Sequence, residues 1–231
     1  MGSVKITKDG PYIVSGGLPL AKEIITTGKD GIPTRWSNGE KYPQQETYAL
    51  CRCGHSVNKP YCTGTHAEVG FNGTETAIRK SHAEQAEKTE GDGIDLMDAV
   101  SFCSSSRFCD LADGTWKFTE GSKDPKSKKE AIRQAGCCPS GRLVMIDKKT
   151  NAAIEPEFPQ SISIIEDPGA HASGPIWVKG KVPVQSADGT AYEVRNRVTL
   201  CRCGKSENKP FCDGTHVQIR FDDGDKRLKK E

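Results

Sequence analysis

A sixteen-residue segment occurs twice in this chain, and that doubling limits what it can fold into more than any other feature. Residues 51–66 read CRCGHSVNKPYCTGTH and residues 201–216 read CRCGKSENKPFCDGTH, identical at 12 of 16 positions. Downstream, Val69 and Phe71 match Ile219 and Phe221 at the same offset of 150. Upstream, residues 10–20 parallel 174–184 at an offset of 164, so the first copy carries 14 extra residues between Leu20 and Cys51. Two copies are too few for a solenoid. They predict two similar lobes that bury one face against each other, as a twofold homodimer does, but within one chain.

Composition sharpens this. Leu, Ile, Val and Phe make up only 42 of 231 residues, while 33 basic and 31 acidic side chains nearly balance. The chain therefore folds around thin cores, which need disulfides or metals as staples. Ten cysteines are present. The first residues show no apolar leader, and no run is long enough to span a bilayer. A cytoplasmic location is expected, with metal binding favoured over disulfides and with no membrane partner. The charge balance gives no pull toward nucleic acid. The basic run at 226–230 reads as a solvated tail.

Each copy offers three cysteines and one histidine: Cys51, Cys53, Cys62 and His66, then Cys201, Cys203, Cys212 and His216. Cys62 and His66 are four apart, so one helical turn would put them on one face, with Thr63 or Asp213 as its cap. Gly64 and Gly214 would let backbone approach a bulky inorganic group, and Pro60 and Pro210 would stiffen the approach. Three thiolates and an imidazole suit either a structural zinc or a [2Fe–2S] cluster. The C-x-C pair is tight for a zinc knuckle and fits two thiolates on one iron.

Both segments resemble the CDGSH iron–sulfur (NEET) family, whose pattern is C-x-C-x₂-[ST]-x₃-P-x-C-D-G-[SAT]-H. The second copy meets it fully; the first departs at Thr63, where the family has Asp. The resemblance implies one [2Fe–2S] cluster per copy and a small β-rich fold in which two units pack about a twofold axis. One histidine in place of a cysteine leaves the cluster one negative charge short of an all-cysteine one. Its potential should then lie above the roughly −400 mV of plant-type ferredoxins. The second imidazole nitrogen can couple proton to electron uptake. The single neutral ligand makes the cluster acid-labile.

Around each motif, Ser56 and Ser206 could donate to sulfur, and Arg52, Arg202, Lys59 and Lys209 could offset cluster charge or stand solvated. His55, His82 and His171 are read as non-ligands. Between the copies, Cys103, Cys109 and a distant Cys138 followed by Pro139 resemble a divergent single-cluster ferredoxin domain, with Cys137 as a poor fourth ligand. A third cluster there is the lesser reading. The preferred one is a domain that has lost its cluster and keeps buried thiols.

The fold expected is α+β and β-rich: two CDGSH lobes packed as an intramolecular pseudo-dimer, with an inserted ferredoxin-like α/β segment. Boundaries fall at 1–80 for the first lobe, 81–93 for a linker or a weak exposed helix, 94–165 for the insert and 166–231 for the second lobe. Strands are expected at 12–14, 47–50, 143–146, 176–178 and 192–200. A helix should start at Asp124–Pro125 and end near Gly136. The function expected is electron transfer or redox sensing by a monomer with two clusters, serving a redox partner protein. The alternatives are a cluster donor to apo-acceptor proteins and a structural zinc module. No nucleophile–base pair, phosphate loop or dinucleotide fingerprint points to an enzyme.

Overall fold

The computed structural model describes residues 2–228, so the last residues of the basic run at 226–230 lie outside it. The chain opens with β1 (Ser3–Ile6), β2 (Tyr12–Ser15), β3 (Leu20–Thr27), β4 (Pro33–Lys41) and β5 (Thr47–Leu50), then the single turn α1 (Thr65–Glu68). A middle body follows: α2 (His82–Gln85), β6 (Glu87–Thr89), β7 (Ile94–Asp98), α3 (Gly114–Glu120), α4 (Pro125–Cys137), β8 (Leu143–Asp147) and β9 (Ala153–Ile154). The chain closes with β10 (Ser161–Asp167), β11 (Ala172–Lys179), β12 (Val184–Gln185), β13 (Arg197–Leu200) and α5 (Thr215–Gln218). The architecture is mixed α+β and strand-rich.

The repeat is visible in the pairing. In the first half β2 pairs antiparallel with β5, Tyr12 opposite Leu50. In the second half β11 pairs with β13, Ile176 opposite Leu200, the equivalent register. Each half also lends a strand to the other. β1 pairs parallel with β12, and β3 pairs parallel with β10. The sheets therefore run β12-β1-β2-β5 and β13-β11-β10-β3-β4. The long hairpin of β3 and β4, where the second half has only the short β12, accounts for the extra residues of the first copy.

Alternation places Val4, Ile6, Tyr12 and Val14 inward, where they meet Ile162, Ile164, Ile176, Val178 and Leu200 in one core. All eight residues of β11 are buried, as befits a strand covered on both faces. The middle body has its own core of Ile94, Leu96, Ala131, Ala135, Leu143 and Met145 between its sheet and α4. The Asp124 side chain accepts from the Ser127 amide and caps α4, which runs one residue past Gly136.

Several expectations are corrected. Residues 81–93 hold the short helix α2, behind a capping box of Ser81 and Glu84, and also β6, which pairs with β7 where no strand was expected. β10 leaves the middle segment and joins the sheet of the second lobe, because its apolar run is buried on both faces. Only 197–200 of the strand expected at 192–200 forms. Tyr192 turns into the core, and Asn196 donates to Glu155 and the Pro156 carbonyl. Arg227 of the basic run is no solvated tail residue, since it pairs with Glu40 and Asp225.

Candidate iron–sulfur sites

Each constellation is built on a strand end and a returning loop. Cys51 follows β5; its amide donates to the Pro60 carbonyl, and the Cys62 amide donates to Ala49. The second copy repeats both bonds, from Cys201 to Pro210 and from Cys212 to Thr199. The strand therefore fixes the C-x-C turn and the returning cysteine together. Gly54 and Gly204 stand at φ +82° and +76°. A Cβ on Gly54 would lie 2.6 Å from the Cys203 carbonyl oxygen, and one on Gly204 would collide with that of Cys53. The two C-x-C turns thus pack backbone to backbone, which only glycine allows.

The donors come together in pairs. Cys51 Sγ stands 3.7 Å from Cys53 Sγ, and Cys62 Sγ 3.4 Å from His66 Nδ1. In the second copy the distances are 3.8 Å and 3.3 Å. Two donors on one tetrahedral metal with bonds of about 2.0–2.3 Å stand about 3.5–3.8 Å apart, so each pair fits one metal. Among the described residues no three Cys, His, Asp or Glu side chains can share a single ion. The donor set therefore suits a binuclear group held by two pairs. Cys62 and His66 do not share a helix as expected. α1 begins at Thr65, and Gly64 at φ +88° turns the chain between them.

Electrostatics prepare the thiols unevenly. The Cys203 thiol donates to Cys201 and holds it down to about 7, while the same bond and burial push Cys203 up. Burial pushes Cys212 up, helped by Cys201, Asp213 and Cys103. Burial and Arg202 lower His216 to about 4, so its imidazole stays neutral and competent as a ligand. Backbone amides already point at sulfur: His55 to Cys53 at 3.4 Å, Gly64 to Cys62 at 3.4 Å and Gly214 to Cys212 at 3.5 Å.

The flanking polar residues play other parts than expected. Ser56 and Ser206 donate to the carbonyls of Tyr61 and Phe211, at 2.6 and 2.7 Å, and close the loops instead of reaching sulfur. Lys59 and Lys209 clamp the same loops through the Ser56 and Ser206 carbonyls. Arg52 and Arg202 are buried, not solvated. Arg52 donates to the carbonyls of Thr7 and Gly73, whereas Arg202 sits between the carboxylates of Glu166 and Asp223. Asp213 accepts from the Glu207 and Thr215 amides, whereas Thr63 meets only the Ser56 and Thr65 hydroxyls. His82 is tied to the Arg142 carbonyl, and His55 is exposed and offers the Cys53 sulfur only its backbone amide. Tyr12 escaped the sequence reading. From the first lobe, its hydroxyl donates to the Cys201 carbonyl at 2.9 Å. Its repeat equivalent is Ile176, and that mismatch was the only available signal.

In the middle body Cys103, Cys109 and Cys138 line one cavity of about 20 Å³, and Cys137 does not. That volume holds about one water. Burial pushes the thiols of Cys109 and Cys137 up, so both stay protonated at neutral pH. A separate cavity of about 720 Å³ is lined by His82, Glu155, Arg195 and Asn196 among others and by none of the cysteines. No helix among the described residues is long and apolar enough to cross a membrane.

The family described as iron-binding zinc finger, CDGSH type, matches residues 9–67 and 173–217. The family described as divergent 4Fe-4S mono-cluster matches residues 89–148. Neither the curated proteins nor the solved structures include a significant match.

Proposed function

We propose that this chain, which carries two CDGSH-type iron-binding regions around a divergent 4Fe-4S mono-cluster region, is an electron-transfer or redox-sensing protein holding two [2Fe–2S] clusters. Cys51 and Cys53 would hold one iron and Cys62 and His66 the other, with Cys201, Cys203, Cys212 and His216 repeating the arrangement. The carrying observation is the pairing of donors. A single structural zinc needs all four on one centre, and this chain offers them two by two. When bound, the clusters supply one-electron chemistry. The chain's own residues position the thiols, keep His216 neutral, aim amides at sulfur and leave the His66 and His216 Nε2 nitrogens to carry a proton.

The reciprocal exchange of β12 and β3 between halves supports an intramolecular pseudo-dimer that needs no second chain, because the partner copy is tethered at high effective concentration. The cavity between Cys103, Cys109 and Cys138, with room for about one water, supports half-buried cysteines there over a third cluster. A cluster donor to apo-acceptor proteins remains the second reading, favoured by the half-burial of Cys62 and His66 where Cys212 and His216 are buried. Iron and sulfide analysis with visible absorbance tests the proposal. About four of each per chain are expected. About two of each would leave one copy empty, and markedly more would put a cluster on Cys103, Cys109 and Cys138. A colourless protein with stoichiometric zinc would sink it.

A further inference from the structure

The two constellations are near copies, but their surroundings are not. Cys212 and His216 are 3% and 4% exposed, whereas Cys62 and His66 are only half-buried. The difference comes from residues 101–107 of the middle body, which lie against the second constellation. Three anchors hold this loop. Phe102 meets Phe211, the residue before Cys212, edge to face at 5.3 Å. Asn208 donates to the Ser101 carbonyl at 2.7 Å. Arg107 grips both oxygens of Asp167 at 2.7 and 2.8 Å. Between the anchors Ser105 fills the space over Gly214, where a Cβ would collide with its hydroxyl. A Cβ on Gly64 would meet nothing within 4 Å. Val57, beside Asn58 in the first copy, is 89% exposed.

We propose that residues 101–107 form a lid, supplied by the middle body, which closes the second iron–sulfur site and leaves the first as the port for exchange with the outside. The inference rests on the proposed function, since it concerns the unequal reach of two bound clusters. An open histidine ligand is within reach of water, protons, chelators and acceptor side chains. A covered one is reached only when the lid opens, at the free-energy cost of a local unfolding. The returning loops agree. Asp213 ties the second loop to two amides, and Thr63 gives the first no such tie.

The test is iron loss from the holoprotein to excess chelator, followed by visible absorbance, with iodoacetamide quenching and mass spectrometry to locate freed thiols. Two phases of equal amplitude are expected, separated by at least about tenfold in rate. Cys51, Cys53 and Cys62 should be labelled in the fast phase and Cys201, Cys203 and Cys212 in the slow one. Gly64→Ala and Gly214→Ala form a matched pair, because both glycines sit at nearly the same φ, +88° and +87°. Only Gly214→Ala pushes on Ser105, so it should speed the slow phase about tenfold more than Gly64→Ala speeds the fast one. Arg107→Ala, outside both ligand loops, should speed the slow phase alone and guards against a folding defect in Gly214→Ala. A single phase, simultaneous labelling of both sets, or an Arg107→Ala variant with unchanged slow phase overturns the lid. Colourless protein as isolated overturns instead the function on which the lid rests. Labelling of that protein would still read the loop directly, with Cys62 expected to react well before Cys212.

Discussion

Arg52 and Arg202 occupy the same place in the repeat, yet their replacement should have very different consequences. Arg202 is 1% exposed and its partner Glu166 is fully buried. Removing one member of such a pair strands a buried charge and costs about 3–5 kcal/mol. Arg52 bonds two carbonyls, and one of them, Thr7, also accepts from the Gly10 amide. Arg52→Met therefore strands one carbonyl, at about 1–3 kcal/mol. In a chain of this size each kcal/mol moves Tm by about 2–4 °C, so Arg202→Met should lower Tm by about 6–20 °C and Arg52→Met by clearly less. The pH dependence separates the two further. Burial raises Glu166 to about 7 against the pull of Arg202, and the variant lacks that pull. A carboxyl whose folded pKa lies above its unfolded value destabilises as pH rises between the two, because the unfolded chain binds fewer protons there. The Arg202→Met defect should thus be small at pH 5, grow through pH 7 and be largest at pH 8. Adding Glu166→Gln should remove most of the pH dependence. Thermal unfolding by circular dichroism at pH 5, 6, 7 and 8 measures all four proteins. Equal, pH-flat losses in the two arginine variants would refute the buried-pair account.

Two further outcomes follow from the ligand geometry. Replacing His66 and His216 together by Cys should lower both potentials and flatten their pH slope, which a coupled proton sets at about 59 mV per unit. Potentiometric titration from pH 6 to 9 checks this, and a persisting slope would mean that the histidines are not ligands. Thr63→Asp should rebuild the amide bonds that Asp213 makes and slow iron loss from the first site about fivefold, equivalent to one capping bond of about 1 kcal/mol. Chelator kinetics show whether it does.

The eight candidate donors were legible because their chemistry is local: they lie within two sixteen-residue windows, at a spacing that suggests their pairing. The β2–β5 and β11–β13 pairings were foreshadowed by similarity upstream of each motif. The strand exchange was not, since β1 with β12 and β3 with β10 join residues far apart in sequence, and a parallel partner leaves no mark on either strand's own pattern. The burial of Glu166 and Asp223 against Arg202 left no mark in the sequence, because nothing within several residues of either announces a buried guanidinium. The same holds for Ser104, Ser105 and Ser106, between Cys103 and Cys109. Their packing over Gly214 depends on Phe211, Asn208 and Asp167, all from the distant second lobe.

The divergence within the repeat also orders the two sites electrically. Where the first copy has Val57 and Thr63, the second has Glu207 and Asp213. Arg52 keeps its positive charge among carbonyls, whereas Arg202 is outweighed by Glu166 and Asp223. Lys205 opposes this trend where the first copy has His55, but it is exposed and its field is screened. Reduction adds negative charge to a bound cluster, so the second site resists it twice, through its carboxylates and through its burial. One charge about 10 Å away at an effective dielectric of about 20 is worth about 1.7 kcal/mol, or about 70 mV for a one-electron step. A redox titration should then resolve two one-electron steps separated by about 50–100 mV, the first site taking its electron at the higher potential. His66→Cys alone should move only the upper step, and His216→Cys only the lower. Coincident potentials, or a lower step that follows His66→Cys, would show that neither the lid nor the carboxylates distinguish the two sites.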